Sequence, residues 1–152
     1  MVRGMDLILW RHADAEDGAQ DFARELTGKG HKQAARMAAW LDTRLPKDAR
    51  ILASPAVRAQ QTARALAREI ETSDEVDTGA RPAALLKAAG WPGGHGTIVV
   101  VGHQPTLGAA AALALTGTAA QWRIRKGGLW WIAARSDEST PTVISVITPD
   151  LL

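Results

Sequence analysis

The 152-residue sequence contains no cysteine. Disulfides, thiolate catalysis and cysteine-based metal sites are therefore excluded. No dense Lys/Arg run or ladder of aromatic residues occurs, and the formal net charge is only +2. That pattern argues against a nucleic-acid partner. The N-terminal apolar run is too short for a signal-peptide core or a membrane span. Internal repeats, linkers and low-complexity tails are also missing. A cytoplasmic, membrane-free protein is the expectation. Met1 to Gly4 precede the first strand and read as dispensable, as an upstream start codon would leave them. With 46% hydrophobic and 22% charged residues, residues 1–152 are expected to form one domain with a sizeable core.

The segment Leu7-Ile8-Leu9-Trp10 ends abruptly at Arg11-His12-Ala13. An apolar run that stops at polar residues reads as a buried strand delivering its last side chains to a sheet edge. Ligands of open α/β sheets sit at the carboxyl ends of strands. The pattern recurs. Ile98 to Val101 leads into Gly102-His103, and Ile51 to Ala53 leads into Ser54-Pro55, with Arg58 just beyond.

Strands are predicted at Asp6–Trp10, Ile51–Ala53, Glu75–Thr78 and Thr97–Val101, the last uncharged, β-branched and central. Thr27 is a plausible N-cap for a helix to about Leu45, closed by Pro46. Ser54 is expected to cap a second helix, with Pro55 in its first turn, running to Ile70. Shorter helices are expected over Pro82–Ala89 and from Pro105 to about Leu115. Gly127–Ala134 and Thr142–Thr148 read as an antiparallel edge hairpin. Strands alternating with helices, then a hairpin, predict a three-layer α/β/α sandwich with a mostly parallel sheet.

Arg11, His12, Arg58 and His103 all follow predicted strands. Two arginines and two histidines with no acidic ligand beside them suit phosphate better than a metal. Guanidinium groups match phosphate oxygens in bidentate fashion. Nearby cations disfavour protonation of a histidine and keep it nucleophilic. Taken alone, Arg11-His12 reads better as a pair capping a sheet edge; a buried histidine bonded to backbone is the usual reading of His103, but its place after a β-branched run favours a site. His31 and His95 are expected on solvated surfaces, and Arg125 and Lys126 at the surface or on a basic cleft rim. Trp10 is expected to be buried or to line the pocket floor, Trp40 to pack in the core, and Trp91 to cover apolar surface. Trp130 and Trp131 should face opposite sides of one strand.

The three segments Leu9-Trp10-Arg11-His12-Ala13, Ser54-Pro55-Ala56-Val57-Arg58-Ala59-Gln60-Gln61-Thr62 and Val101-Gly102-His103-Gln104-Pro105 together resemble the histidine phosphatase superfamily, with its phosphoglycerate-mutase-like fold. The short length, the Arg-His-Ala form and Arg24-Glu25-Leu26-Thr27 resemble its compact branch, the SixA-type phosphohistidine phosphatases. The resemblance implies that His12 attacks phosphorus and becomes phosphohistidine. It also implies that Arg11, Arg58 and His103 hold the phosphoryl oxygens, and that no cofactor is needed. Arg24 matches a position that either leans into the pocket or stays on the loop surface.

Larger relatives use a carboxylic acid on an insertion or directly after the second histidine to protonate the leaving oxygen. Here His103 is followed by Gln104, and no long insertion is present. Asp14 and Glu16 are candidate proton donors by proximity to His12 only. Solubilising the loop, or orienting an arginine, accounts for them as well. A missing acid favours a substrate that leaves easily, and a ring-protonated phosphohistidine leaves as neutral imidazole. The expected function is a metal-independent phosphohistidine phosphatase acting on a protein, such as a His-phosphorylated signalling or phosphotransfer protein. The alternatives are a phosphatase for small phosphorylated substrates or phosphoesters, and a catalytically silent phosphate- or phosphoprotein-binding module.

Overall fold

A computed structural model describes residues 4–152. Met1, Val2 and Arg3, expected to be dispensable, lie outside the described residues. Gly4 does not fit that expectation, because it already belongs to the first strand and pairs with Arg135.

The chain forms β1 (Gly4–Arg11), α1 (Gly28–Asp42), β2 (Arg50–Ala53), α2 (Val57–Arg64) and β3 (Glu71–Thr72). It continues through α3 (Pro82–Ala89), β4 (Gly96–Gly102), α4 (Thr106–Thr116), β5 (Leu129–Arg135) and β6 (Thr142–Ile147). Short 3-10 turns occupy Asp21–Ala23, Asp74–Val76 and Pro149–Leu151. One six-stranded mixed sheet has the order β3-β2-β4-β1-β5-β6. The first four are parallel; β5 runs antiparallel to β1, and β6 antiparallel to β5.

Alternation along β1 explains the layers. Leu7 and Leu9 join Val100, Leu85 and Leu107 on the face covered by α3 and α4. Ile8 and Trp10 join Val99, Met37, Leu41 and Ala59 on the face covered by α1 and α2. Both faces of β1 and β4 are buried, so both read as unbroken apolar runs. Trp131 packs with the second set and Trp130 with the first, on opposite faces as period two requires. Trp10 is fully buried and donates its Nε1 proton to the Gly127 carbonyl at 2.9 Å. Trp40 and Trp91 both pack, half-buried, against these clusters.

Several boundaries differ from the sequence reading. Thr27 caps α1, its hydroxyl accepting from Gly30 N at 2.9 Å, but the helix ends at Asp42. The helix after Ser54 is much shorter than its composition suggests. It begins at Val57, its N-cap residue is Ala56, and it stops at Arg64 before Ala67 takes a φ of 53°. A left-handed alanine cannot continue a helix, so propensity yields to the turn that brings the chain into β3. The strand expected over Glu75–Thr78 lies instead at Glu71–Thr72. Segment 74–76 is a 3-10 turn, followed by Asp77 and Thr78 at the sheet edge.

Gly30 sits where α1 crosses the segment after His12. A Cβ there would run into the Asp14 carbonyl, whereas one at Gly28 would meet nothing. Gly30→Ala is therefore expected to lose about 1–3 kcal/mol of stability from overpacking. Gly28→Ala should lose none. Urea-unfolding midpoints of the two variants test the difference.

Candidate active site

The site begins with strand register. Arg11 pairs with Gly102, and Ala53 with Val101, so β1, β2 and β4 end level. Two further bonds extend the ladder past the strands: His12 N donates to the Gly102 carbonyl, and Ser54 N to the Val101 carbonyl, each at 3.0 Å. His12, Ser54 and His103 are thereby delivered to one sheet edge. Arg58 enters from the first turn of α2. Its neighbour one turn on, Thr62, accepts from Ala13 N at 3.1 Å and donates to the Arg58 carbonyl, which ties the helix to the segment carrying His12.

His12, Arg58 and His103 are all buried. Arg58 Nε donates to His12 Nε2 at 3.3 Å, and the His12 and His103 ring centroids lie 5.2 Å apart. His12 Nδ1 lies 2.8 Å from the Ala13 carbonyl. A carbonyl only accepts, so Nδ1 carries the proton and Nε2 keeps its lone pair, directed toward Arg58. Burial is the main reason that the His12 pKa falls to about 3, with His103, Arg58 and Arg11 adding repulsion. His103 falls to about 4, again chiefly through burial. Both rings are neutral at pH 7, and desolvation contributes more to that than the cations emphasised by the sequence.

The protonation of His103 follows from its partners. Ser54 donates its one hydroxyl proton to Asp77 Oδ1 at 3.0 Å and accepts from Ala56 N at 3.1 Å. It must also accept from His103 Nε2, 2.8 Å away. Neutral His103 therefore holds its proton on Nε2 and an open lone pair on Nδ1. Among the described residues, His103 Nδ1 and Arg11 Nε are the buried side-chain nitrogen and oxygen atoms that have no partner. An unpaired buried polar group costs about 1–3 kcal/mol. Arg11 is otherwise anchored through one bond, from its guanidinium to the Ile124 carbonyl at 2.9 Å.

The remaining candidates are placed less directly. Arg24 bonds the Glu16 carbonyl at 2.7 Å and Asp21 Oδ1 at 3.0 Å. Its link to the cluster is Asp21, which holds Arg58 through both its carbonyl and its Oδ2. Asp14 is unsuited to the acid role considered for it. Thr27 donates to one of its oxygens at 2.8 Å and Lys126 to the other at 3.0 Å. These bonds hold its carboxyl below the usual range, ionised and accepting. Glu16 is exposed and contributes backbone bonds to Glu25 and Arg24. Gln104 pins α4, accepting from Gly108 N and donating to the Trp122 carbonyl.

The carboxylates that do reach the cluster, Asp21 and Asp77, were not singled out from the sequence. Nor were Thr78, which accepts from Arg58 at 3.3 Å, or Ser54 in any role beyond a helix cap. Asp21 and Asp77 lie in polar loops without periodicity, where nothing local marks one carboxylate from its neighbours.

The doubly flanked mixed sheet, with paired arginines and histidines at its strand ends, defines a phosphoglycerate-mutase-like α/β protein. The family model of the histidine phosphatase superfamily (branch 1) matches residues 7–81. An uncharacterized protein of Picosynechococcus sp. is 34% identical over 158 residues, covering 95% of this chain and 96% of that protein. The phosphohistidine phosphatase SixA of Escherichia coli is 41% identical over 59 residues, 38% of this chain and 37% of that one. A protein histidine phosphatase SixA solved with tungstate matches with a TM-score of 0.79 and 25% identity, over 97% of this chain and 99% of that one. The chain belongs to the histidine phosphatase superfamily and is a phosphatase.

The two depressed histidines make stability depend on pH. Below about pH 6.5 the unfolded chain binds protons that the folded chain refuses until about pH 4 for His103 and pH 3 for His12. Stability is therefore full above pH 6.5 and falls as the pH drops, by up to about 1.4 kcal/mol per pH unit for each histidine. Urea unfolding between pH 7.5 and 4.5 should show this slope, and His103→Asn should reduce it.

Proposed function

We propose that this phosphatase hydrolyses phosphohistidine, on a protein substrate, through a covalent intermediate on His12. The observation that carries the reading is the His12 ring. It is buried and neutral, its Nδ1 proton is tied to Ala13, and its Nε2 lone pair faces Arg58. Such a nitrogen is a nucleophile whose orientation is already set.

In the first step Nε2 attacks phosphorus, and the bond from phosphorus to the leaving nitrogen breaks. The leaving ring, already protonated on its other nitrogen, takes the electron pair and departs as neutral imidazole. Arg11 and Arg58 offer guanidinium donors to the phosphoryl oxygens as charge shifts among them. His12 retains its Nδ1 proton, so the phosphorylated ring is cationic. In the second step water attacks phosphorus, the bond to Nε2 breaks, and Nε2 recovers its lone pair. One proton of that water moves to a phosphoryl oxygen, and Arg11 and Arg58 hold the charge that remains. Dihydrogen phosphate then leaves, and His12 is again neutral with its Nδ1 proton in place.

The carboxylates support a nitrogen leaving group over an alkoxide. Asp21 accepts from Arg24 and Arg58, and Asp77 accepts from Ser54 and Thr78 N. Both oxygens of Asp21 are held as acceptors, so it is not poised to donate a proton to a departing oxygen. The likeness to SixA proteins, one of them a protein histidine phosphatase, points the same way.

The test compares a phosphohistidine peptide, a phosphoserine peptide and N-phosphoimidazole, with wild type beside His12→Ala. Phosphohistidine and N-phosphoimidazole should turn over fastest, and His12→Ala should lose about 10³-fold or more in rate. Wild type, but not the variant, should trap an acid-labile, base-stable phosphoenzyme. Equal or faster turnover of phosphoserine would overturn the substrate assignment, and activity surviving in His12→Ala would overturn the nucleophile. Ser54→Ala provides a further check on the placement of His103. It should lower kcat more than it changes KM and shift the pH profile, because His103 loses the acceptor for its Nε2 proton.

A further inference from the structure

Beside the phosphoryl site lies a cavity of about 230 Å³, bounded by Arg11, Lys29, Arg123, Arg125, Lys126 and Asp150 among others. Its position follows from the sheet. The segment before β5 runs past the end of β1, with Arg11 N donating to the Gly128 carbonyl and Gly127 N to the His12 carbonyl. The first turn of α1 supplies Lys29 from the other side. Arg11 is common to both sites. Its guanidinium is bonded to Ile124, between Arg123 and Arg125 in sequence, and its Nε is buried without a partner.

The charge here is unbalanced. Five cations face Asp150 on the lining and Asp14 on Lys126, leaving three positive charges uncompensated. The whole chain carries only +2. Burial disfavours the Arg11 cation, and Arg123 repels it further. Holding like charges together in this way costs free energy that an anion would relieve.

We propose that this cleft docks acidic side chains flanking the phosphohistidine of a protein substrate, a proposal that rests on the phosphohistidine reading above. Lys29, Arg123, Arg125 and Lys126 are exposed. Long, exposed cations along a rim attract an acidic surface at a distance and adapt to it. A dedicated site for a second phosphate would instead be built from buried donors, as Arg58 is at the first. The cavity has room for a side chain and not for a helix. The rim residues act on encounter and alignment, and the chemistry stays with His12.

The experiment measures kcat/KM for two phosphohistidine peptides, one flanked by Glu and one by Gln, and for N-phosphoimidazole, in wild type and R123Q/R125Q. Phosphoserine versions of both peptides and a small bisphosphorylated compound complete the set. Wild type should favour the Glu peptide by about 10-fold at low salt, mainly through KM, and lose the preference in 0.5 M NaCl. The double variant should abolish the preference while N-phosphoimidazole turnover stays within about twofold. Equal use of Glu and Gln peptides by wild type overturns the proposal. So does an equal loss on every substrate in the variant, or a dependence on the two arginines confined to the bisphosphorylated compound. If only phosphoserine peptides turn over and the Glu preference persists, the docking cleft stands and the phosphohistidine reading falls.

Discussion

Everything chemical in this molecule depends on three parallel strands ending in register. Pairing of β2, β4 and β1 places Ala53 beside Val101 and Gly102 beside Arg11. One extra bond past the end of β1 and another past the end of β2 then aim His12 and Ser54 at the same edge as His103. Because side chains alternate at period two, a slip of one residue would send this set to the opposite faces. Burial on both sides of β1 and β4 makes such a slip costly. The apolar core and the position of the nucleophile are thus one constraint seen at two ends of the same strands.

Burial also sets the chemistry. The groups around His12 are cationic or neutral, and the main force on both histidines is loss of water. That keeps them uncharged at neutral pH. It also leaves the Arg11 guanidinium with a donor unpartnered, where an oxyanion would satisfy both the charge and the bond. The carboxylates nearby serve as acceptors: Asp21 braces Arg58, and Asp77 works through Ser54 to fix the tautomer of His103. A site assembled in this way stabilises transferring phosphoryl groups by position and charge.

Much of the architecture was legible along the chain, for identifiable reasons. The central strands stand out because both of their faces are buried, and Pro82–Ala89 is bounded by proline and glycine. The segment after Ser54 misled because its alanine- and arginine-rich composition favours helix, whereas the structure needs a turn at Ala67 to reach β3. Arg11, His12, Arg58 and His103 were visible as residues at strand ends. Asp14 attracted attention only through its nearness to His12 in sequence, and its carboxylate bonds Thr27 and Lys126 instead. Asp21 and Asp77 could not be picked out, because their partners are 37 and 23 residues away.

The amino-acid sequence by itself determined the alternating layers, the strand ends carrying arginine and histidine, and the family to which the chain belongs. These properties are written in local periodicity and short motifs. Tertiary structure alone decided which ring nitrogen of His12 is free, that Ser54 serves His103 rather than a helix end, and which carboxylates reach the site. It also decided that the cations before β5 gather around Arg11. Each of these depends on distances between segments remote in sequence, and only the packed sheet with its helices sets those distances.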